Sequence, residues 1–212
     1  VLLKLNMDED KALKTSEILI EADMMGHYTH GTRLLPMYIS DIEKGNMRVS
    51  GEVEIIKDTG PCVTWDGKLL PGIWLTHEAI SLASKRCKKH GVVTVLVGNS
   101  HHNGALAAYM LPFVEKGLLV LIKSSVPSSA SVAPFGGTEP LLTPDPMAIG
   151  FPTNENPVII DISASITTNN MIGDKIVNNE KFDFDCLLTS EGIPTNDPIE
   201  VREKGGTVLP IG

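Results

Sequence analysis

The apolar run VVTVLV over residues 92–97 constrains the fold more than any other stretch of this chain. A nearly continuous run of this length is typical of a strand that is buried on both faces. The polar loop 98–104 follows it, then a predicted helix over 105–116 and a second apolar strand over 118–122. Strand, loop, helix and strand in this order predict a β-α-β-like unit, whose ligands tend to lie at the carboxyl ends of the strands. We therefore expect a mixed α/β fold with a site near residues 98–104.

Apolar periodicity predicts three further helices, over residues 9–25, 32–44 and 73–89. In the first, the predicted apolar face carries Leu13, Ile20 and Met24, with Ala12, Leu19 and Ala22 beside it. Pro36 is tolerated only in the first turn of a helix, so the second helix begins no earlier than about Thr32. A glycine follows each helix, at Gly26, Gly45 and Gly91, as is common at helix C-termini.

The remaining predicted strands are short. Alternation over residues 51–67 around Gly60-Pro61 predicts a hairpin, and residues 147–151 and 158–162 are further strand candidates. Residues 124–146 form a long Ser-, Pro- and Gly-rich loop, which is usually functional at this length. No element is predicted between residues 167 and 212. We divide the chain into an N-terminal helical region, 1–50, and an α/β core that binds cofactor and substrate, 51–212.

Charge and cysteine content narrow the function classes. The chain has 212 residues with 18 basic and 26 acidic side chains, a net charge of -8, which argues against nucleic acid or an anionic membrane as partner. No apolar run is long enough for a membrane span, and VLLKL at the start is too short for a signal peptide. Three distant cysteines, Cys62, Cys87 and Cys186, predict free thiols in a reducing compartment, hence a cytoplasmic protein.

Four of the six histidines fall in two clusters, His27/His30 and His101/His102. Histidine is the side chain most easily poised near neutral pH, and the guanidinium of Arg33 suits a carboxylate. The first cluster therefore indicates acid/base chemistry on a small organic acid, although a solvated helix start explains it equally well. The two clusters also supply enough nitrogen ligands for zinc, but no acid or thiol accompanies them at a diagnostic spacing.

Other catalytic signatures are absent. The sequence contains no G-x-S-x-G, no P-loop and no G-x-G-x-x-G, so a serine hydrolase elbow and the usual dinucleotide fingerprint are both missing. The residues alone thus predict an α/β enzyme of the acid/base type.

A set of segments, in order along the chain, resembles the motifs of the malate/L-lactate/L-sulfolactate dehydrogenase family. The first two are DMMGHYTHGTRLLPMY (23–38), similar to D-x-x-G-x-x-S-H-G, and GNSHHNGALAAY (98–109), similar to N-S-x-H-x-G. The others are APFGGTEPLLTPDPMAIGFP (133–152), PVIIDISAS (157–165), GIPTNDP (192–198) and LPIG (209–212). Together they span nearly the whole chain, which makes the resemblance specific.

The resemblance implies a non-Rossmann α/β oxidoreductase that moves a hydride between NAD or NADP and C2 of a 2-hydroxy or 2-oxo acid, malate- or lactate-like. By motif, His30 and His102 are the expected acid/base residues. Thr29, in the position of the family serine, and Arg33 are expected to bind substrate. The missing G-x-G-x-x-G is then what the family predicts.

The family also implies the cofactor segment and the assembly. The cofactor is expected along the Ser124 region and the segment from Asp161 to Ser165, with Lys175 nearby. The cofactor-binding residues so predicted are Ser124, Asp161, Ile162, Ser163, Ser165 and Lys175. A homodimer and a site without a metal are expected as well.

Three departures from the family pattern accompany the resemblance. The family arginine stands four residues after the histidine, where this chain has Leu34, and Arg33 is one position earlier. Asp145 replaces the asparagine expected before Pro146. Family members extend well beyond the position of Gly212, so we expect this chain to be a fragment. An inactive truncated homologue that acts as a dimerisation or binding module is therefore the alternative.

Overall fold

A computed structural model describes residues 1–126 and 129–211. It forms two compact units, one of residues 1–120 and 150–158, the other of 121–149 and 159–212. The division predicted from the sequence, into the regions 1–50 and 51–212, stays a prediction.

Three predicted helices of the first unit, over 9–25, 32–44 and 73–89, are present with nearly the predicted bounds. They are α1 Glu9–Met24, α2 Leu35–Glu43 and α3 Gly72–His90. A 3-10 turn, Thr32–Leu34, precedes α2, whose first turn contains the proline. The predicted start near Thr32 is confirmed because Pro36 lacks an N–H and fits only there.

The predicted apolar face of α1 was wrong. Leu13, Ile20 and Met24 are 59%, 51% and 79% exposed. The buried side of α1 instead carries Ala12, Leu19 and Ala22, at 4%, 1% and 0% exposure. The two alanines on this side let the helix approach its neighbours closely, beside the larger buried Leu19.

The first sheet holds β1 Glu54–Asp58, β2 Cys62–Asp66 and β3 Thr94–Gly98, in the order β1-β2-β3. The first two strands form the predicted antiparallel hairpin. The last two are parallel, with Cys62 opposite Thr94 and Asp66 opposite Gly98. The β-α-β unit is therefore β2-α3-β3. The predicted unit after residue 92 was wrong, because the strand after residue 118 joins another sheet.

The prediction that the 92–97 strand is buried on both faces was also wrong. Its side chains alternate between exposed and half-buried, and Leu96 is 64% exposed. The other face packs into a core of Val63, Trp65 and Ala79, to which Val95 and Val97 contribute. Only one face of β3 is therefore covered.

The predicted helix over 105–116 is broken into a 3-10 turn, Leu106–Tyr109, and the short α4 Leu111–Val114. Pro112 lies in the first turn of α4 and cannot continue a longer helix. Most of this segment is buried, including Tyr109 at 1% and Met110 at 0% exposure. Packing rather than helix propensity therefore holds it.

The second sheet contains β4 Val120–Lys123, β5 Met147–Phe151 and β6 Val158–Ile162, in the order β4-β5-β6. The division between the two units falls within these strands. All three strands were predicted. The described part of the loop between β4 and β5 forms no named helix or strand, as expected, and Pro127 and Ser128 lie outside the described residues.

The part of the chain that had no prediction is ordered in the second unit. It contains α5 Asn169–Val177, β7 Leu187–Leu188, β8 Pro194–Thr195, α6 Pro198–Glu203 and β9 Thr207–Val208. The strands form a sheet in the order β8-β7-β9. These elements pack around a core that includes Val132, Ile172 and Leu187. Across residues 1–126 and 129–211, no helix is long and apolar enough to cross a membrane.

Candidate functional site

The loop after β3 carries His101 and His102, and the first turn of α3 sets its path. A Cβ added to Gly72 would lie 1.9 Å from the carbonyl oxygen of His101 and 2.5 Å from that of His102. Only glycine permits this approach. The same region is tied to the sheet, since Gly67 N–H donates to Gly98 O at 2.7 Å. The two histidines therefore stand on a backbone that is fixed from two sides.

A second tight turn carries His30. A Cβ on Gly31 would lie 1.8 Å from Asp23 Oδ1. The other carboxylate oxygen of Asp23 accepts from Thr32 N–H at 3.0 Å and from Thr32 Oγ1–H at 2.6 Å. The aspartate and the glycine of the motif are thus structural residues, because they close the turn that presents His30.

These two turns bring His30 and His102 together. Their rings are stacked, with centroids 5.7 Å apart and an interplanar angle of 21°. Thr29 Oγ1 lies 2.9 Å from His30 Nδ1. Residues that are 72 positions apart in sequence therefore form one half-buried pair of imidazoles.

Tyr38 of α2 and the backbone of Gly104 hold His102. Tyr38 Oη lies 3.0 Å from His102 Nδ1, and Gly104 N–H donates to the same nitrogen at 3.1 Å. Burial, with smaller contributions from His30 and His101, lowers the pKa of His102 to about 4. Burial also raises the pKa of Tyr38, which is 1% exposed, far above its usual range. Both groups are thus neutral at pH 7.

Asp41, one turn after Tyr38 on α2, holds the neighbouring histidine. Its Oδ2 lies 3.1 Å from His101 Nε2, and the His101 ring meets Tyr38 edge-on at 5.7 Å. Burial lowers the pKa of His101, and the Asp41 charge opposes that effect. One face of α2 therefore clamps both residues of the second histidine pair.

The sequence model of the malate/L-lactate dehydrogenase family matches residues 1–212, the whole chain. The chain belongs to this family. It is 31% identical over 212 residues to the malate/(S)-sulfolactate dehydrogenase of Methanothermus fervidus, covering all of this chain and 61% of that protein. The chain therefore spans about 61% of that relative's length.

Solved structures of family members have the same fold. The malate dehydrogenase of Entamoeba histolytica superposes with a TM-score of 0.93 at 29% identity, over 100% of this chain and 60% of that one. The sulfolactate dehydrogenase of Methanocaldococcus jannaschii superposes with a TM-score of 0.88 at 28% identity, again over 100% of this chain and 60% of that one. The expected mixed α/β fold of the family is confirmed.

Among the predicted substrate residues of this malate/L-lactate dehydrogenase homologue, Thr29 lies against His30, whereas Arg33 lies on the 3-10 turn Thr32–Leu34 with an exposed side chain. The position of the family arginine, Leu34, is buried at 6% exposure. The assignment of Arg33 stays a prediction.

The predicted cofactor residues lie in the second unit or at its strands. Ser124 and Asp161 are half-buried, and Ile162 is 47% exposed at the end of β6. Ser163 Oγ–H donates to Ser165 O at 2.8 Å, and its oxygen keeps the capacity to accept. A carboxylate and a hydroxyl two residues apart suit the hydroxyls of a ribose, so Asp161 and Ser163 fit a nicotinamide dinucleotide.

Two members of the predicted cofactor set fit less well. Ser165 is 2% exposed, and its hydroxyl donates to Thr167 O at 2.7 Å. Lys175 Nζ donates to Glu180 Oε2 at 2.9 Å, and that partner raises the pKa of the lysine. Both side chains therefore have structural partners that a cofactor would have to displace.

Asp145, the departure from the family asparagine, lies at φ 38°. Hydrogen bonds from the hydroxyls of Ser125 and Thr143 hold the pKa of its carboxyl below the usual range. Aspartate and asparagine both tolerate this left-handed backbone. The replacement therefore keeps the turn and adds a negative charge to it.

No group of three His, Cys, Asp or Glu side chains in the described ranges, 1–126 and 129–211, is arranged to hold a metal ion. An open cleft of about 340 Å³ is lined by Arg48, Asp66, Lys68, Leu69 and Asn99. Its Lys68 is paired with Asp66 at 3.3 Å and with Glu54, so the cleft adds no new reactive group to the histidine site.

The sequence-based reasoning missed Tyr38 and Asp41 as site residues. Residues three apart on a helix share one face, so the pair Tyr38/Asp41 was a detectable signal. What it faces depends on the position of the loop after β3, which no local pattern reveals.

Proposed function

We propose that this protein is an oxidoreductase that transfers a hydride between NAD or NADP and C2 of a 2-hydroxy or 2-oxo acid, malate- or lactate-like. The observation that carries the proposal is the stacked His30/His102 pair in a chain of the malate/L-lactate dehydrogenase family. Because the chain spans about 61% of the length of its relative from Methanothermus fervidus, its activity is tested on the chain itself.

The chain's own residues support this chemistry. A 2-oxo acid that is reduced at C2 gains negative charge on oxygen and needs a proton there, and two imidazoles lie together to meet that need. Thr29 orients His30 through Nδ1, and Tyr38 orients His102. Arg33 is proposed to bind the substrate carboxylate through its planar guanidinium.

Asp161 and Ser163 are the residues we propose to hold the cofactor ribose. A bound nicotinamide supplies or accepts the hydride at its C4. Ser124, Ile162, Ser165 and Lys175 remain predicted contacts. The proposal leaves the choice between NAD and NADP to the assay, in which both reduced cofactors are compared.

The test measures oxidation of NADH and NADPH with oxaloacetate and with pyruvate. We expect His30→Ala and His102→Ala each to lower turnover by about 10²- to 10⁴-fold, the usual contribution of a positioned acid or base. His90→Gln, at the exposed end of α3, is the matched control and keeps full activity. Unchanged turnover in both alanine variants would refute the assignment.

An inactive binding or dimerisation module is the second candidate. Its support is the coverage of the relatives together with the apolar side chains that α1 and β3 leave exposed. Titration with NADH, followed by nicotinamide fluorescence, separates the two candidates. Saturable binding that the Asp161→Ala variant weakens supports the oxidoreductase, whereas no binding supports the module.

We also propose that the protein is a homodimer in the cytoplasm. The support is the family resemblance and the three cysteines, none of which forms a disulfide in the described chain. Light scattering after size exclusion measures the assembly directly. A monomer at micromolar concentration, or a disulfide in protein isolated from cells, would contradict this part.

A further inference from the structure

We propose that the two histidines have separate, fixed roles. His102 is a neutral imidazole that donates a hydrogen bond from Nε2 to the substrate oxygen and keeps its proton. His30 is the residue that gives and takes the proton, and Tyr38 is a positioning residue for His102. The assignment rests on the proposed function for the identity of the substrate, but the state of His102 follows from this chain alone.

The contact between Gly104 and His102 determines which ring nitrogen of His102 carries the proton. A backbone N–H can only donate, and Gly104 N–H points at His102 Nδ1 over 3.1 Å. Nδ1 must therefore carry a lone pair. In a neutral imidazole with one proton, that proton then stands on Nε2.

Tyr38 is the second donor to His102 Nδ1. Its hydroxyl is buried and stays protonated, and Oη lies 3.0 Å from the same Nδ1. Because Nδ1 has no proton to give, the tyrosine must be the donor. It also lies 3.5 Å from His102 O, a much weaker alternative. Two donors thus converge on one nitrogen, and protonation of that nitrogen would place N–H against N–H.

The charged groups around His102 act in the same direction. Its ring faces His30 and His101, which oppose a positive charge on it, and Tyr38, which is neutral. The carboxylate of Asp41 is hydrogen-bonded to His101. An imidazolium at His102 is therefore disfavoured by its backbone contact, by Tyr38 and by its neighbours together.

The acidity of a neutral imidazole decides whether His102 can be the proton source. A neutral imidazole that released its only N–H proton would become an imidazolate, which is far too basic to form near neutral pH. His102 can therefore polarise a carbonyl as a hydrogen-bond donor, as neutral histidines do in other enzymes, but it cannot be the proton source.

His30 has the other role and transfers the proton. Its Nδ1 partner is the Thr29 hydroxyl, which can donate or accept, so this contact is compatible with one or with two ring protons. In reduction, C2 of the oxo acid gains the hydride, and the carbonyl electron pair moves to oxygen. Oxygen then takes the proton from His30 Nε2, and His30 changes from imidazolium to imidazole. Oxidation runs the same transfers in reverse, and His102 keeps its proton in both directions.

The state of His102 is tested without any activity assay. In the ¹⁵N-histidine-labelled chain, with the His102 signals assigned by their loss in His102→Gln, we expect one unprotonated Nδ1 and one protonated Nε2. They should not titrate between about pH 5.5 and about pH 8, the range in which an ordinary histidine titrates. A protonated Nδ1 anywhere in that range would overturn the proposal.

The role of Tyr38 is tested in the same spectra. Tyr38→Phe removes one donor to Nδ1 and keeps the ring, so the neutral form of His102 is less stabilised. We expect the pKa of His102 to rise by about 0.5 to 1 unit, the equivalent of one neutral hydrogen bond. A merely structural tyrosine would lower stability and leave this pKa unchanged, which would refute its positioning role.

The division of labour is tested by glutamine and alanine at both positions. A glutamine amide carries an N–H that can stand in for Nε2–H but cannot transfer a proton. We expect His102→Gln to lose about 10-fold in kcat and His102→Ala about 10²-fold or more. His30→Gln and His30→Ala should be equally inactive. Glutamine that rescues position 30 and fails at position 102 would reverse the roles. If the unaltered chain has no turnover, the proposed function and the role of His30 both fail, and the spectra still decide the state of His102.

Discussion

Gly72→Ala tests whether the contact between α3 and the His101–His102 backbone organises the site. The added Cβ would lie 1.9 Å from His101 O, where a real Cβ contact keeps at least 3.0 Å. Neither partner is a flexible side chain, since one is the first turn of a helix and the other is backbone. The loop or the helix must therefore move by about 1 Å, and we expect activity to fall about 10²-fold, the usual effect of such a misplacement.

The same variant is expected to lose stability. Overpacking a fitted contact costs about 1 to 3 kcal/mol, and the higher helix propensity of alanine returns about 0.5 to 1 kcal/mol of that. The net destabilisation is then between about 0 and 2.5 kcal/mol, measured by urea unfolding. Because the His102 ring moves with its backbone, its NMR signals should shift as well.

Gly173→Ala is the matched control, because Gly173 is also helical, in α5, and a Cβ there would meet nothing within 4 Å. It should raise stability by about 0.5 to 1 kcal/mol through helix propensity alone and leave activity unchanged. If Gly72→Ala behaves like Gly173→Ala in both assays, the close approach does not organise the site and the reasoning is wrong.

Three further predictions concern charge and pH. The pKa of His102 is about 4 in the folded chain, below the value of an ordinary histidine, so stability is lost as pH falls from about 6.5 towards 4. Between pH 7 and pH 5, His102→Gln should lose about 2 kcal/mol less stability than the unaltered chain in urea unfolding. Parallel stability curves for the two proteins would contradict this. Lys11 is 1% exposed, pairs with Asp8 at 3.0 Å and lies 4.2 Å from the Trp74 ring, so Lys11→Ala should cost about 2 to 3 kcal/mol. Lys14 on the same helix is half-buried and pairs with the exposed Glu17, so Lys14→Ala should cost under about 0.5 kcal/mol. Equal losses in thermal unfolding would refute the burial argument. Hydrogen bonds from Arg86 and then from Gly60 N–H lower the pKa of Asp58 to about 2. The contribution of Asp58 to stability is therefore present above about pH 4 and is lost as pH falls towards 2. In Arg86→Met, the pKa of Asp58 measured by NMR should rise, and an unchanged pKa would refute the pairing.

Local sequence patterns were sufficient for most elements of the first 166 residues, although the helix predicted over 105–116 is broken into a 3-10 turn and the short α4. The helix over 73–89 and the strand over 158–162 appear as α3 and β6 within a residue or two. Such patterns act through the helix period and through Pro and Gly, which impose their backbone preferences wherever they stand. Beyond that point every element except α5 is two to six residues long, too short for a period to show, and side chains cap the two helices, Thr168 on α5 and Asp197 on α6.

Motif content also identified the family and the residues His30 and His102 from the sequence. The errors arose where two parts of the chain had to meet. The face of α1 that packs, the covered face of β3 and the strand that pairs with β2 all depend on which neighbour is present. Periodicity describes an element's own faces and does not say which of them is buried.

The sequence by itself determined that this chain has an α/β fold, belongs to the malate/L-lactate dehydrogenase family and carries two motif histidines. Only the tertiary structure decided that the two histidines stack, and that Tyr38 and Gly104 N–H meet on one ring nitrogen of His102. The reason is physical. The protonation state of an imidazole is set by donors within about 3 Å and by burial. One of the two donors, Tyr38, lies 64 positions from His102 in the chain, and only the fold brings it to the ring.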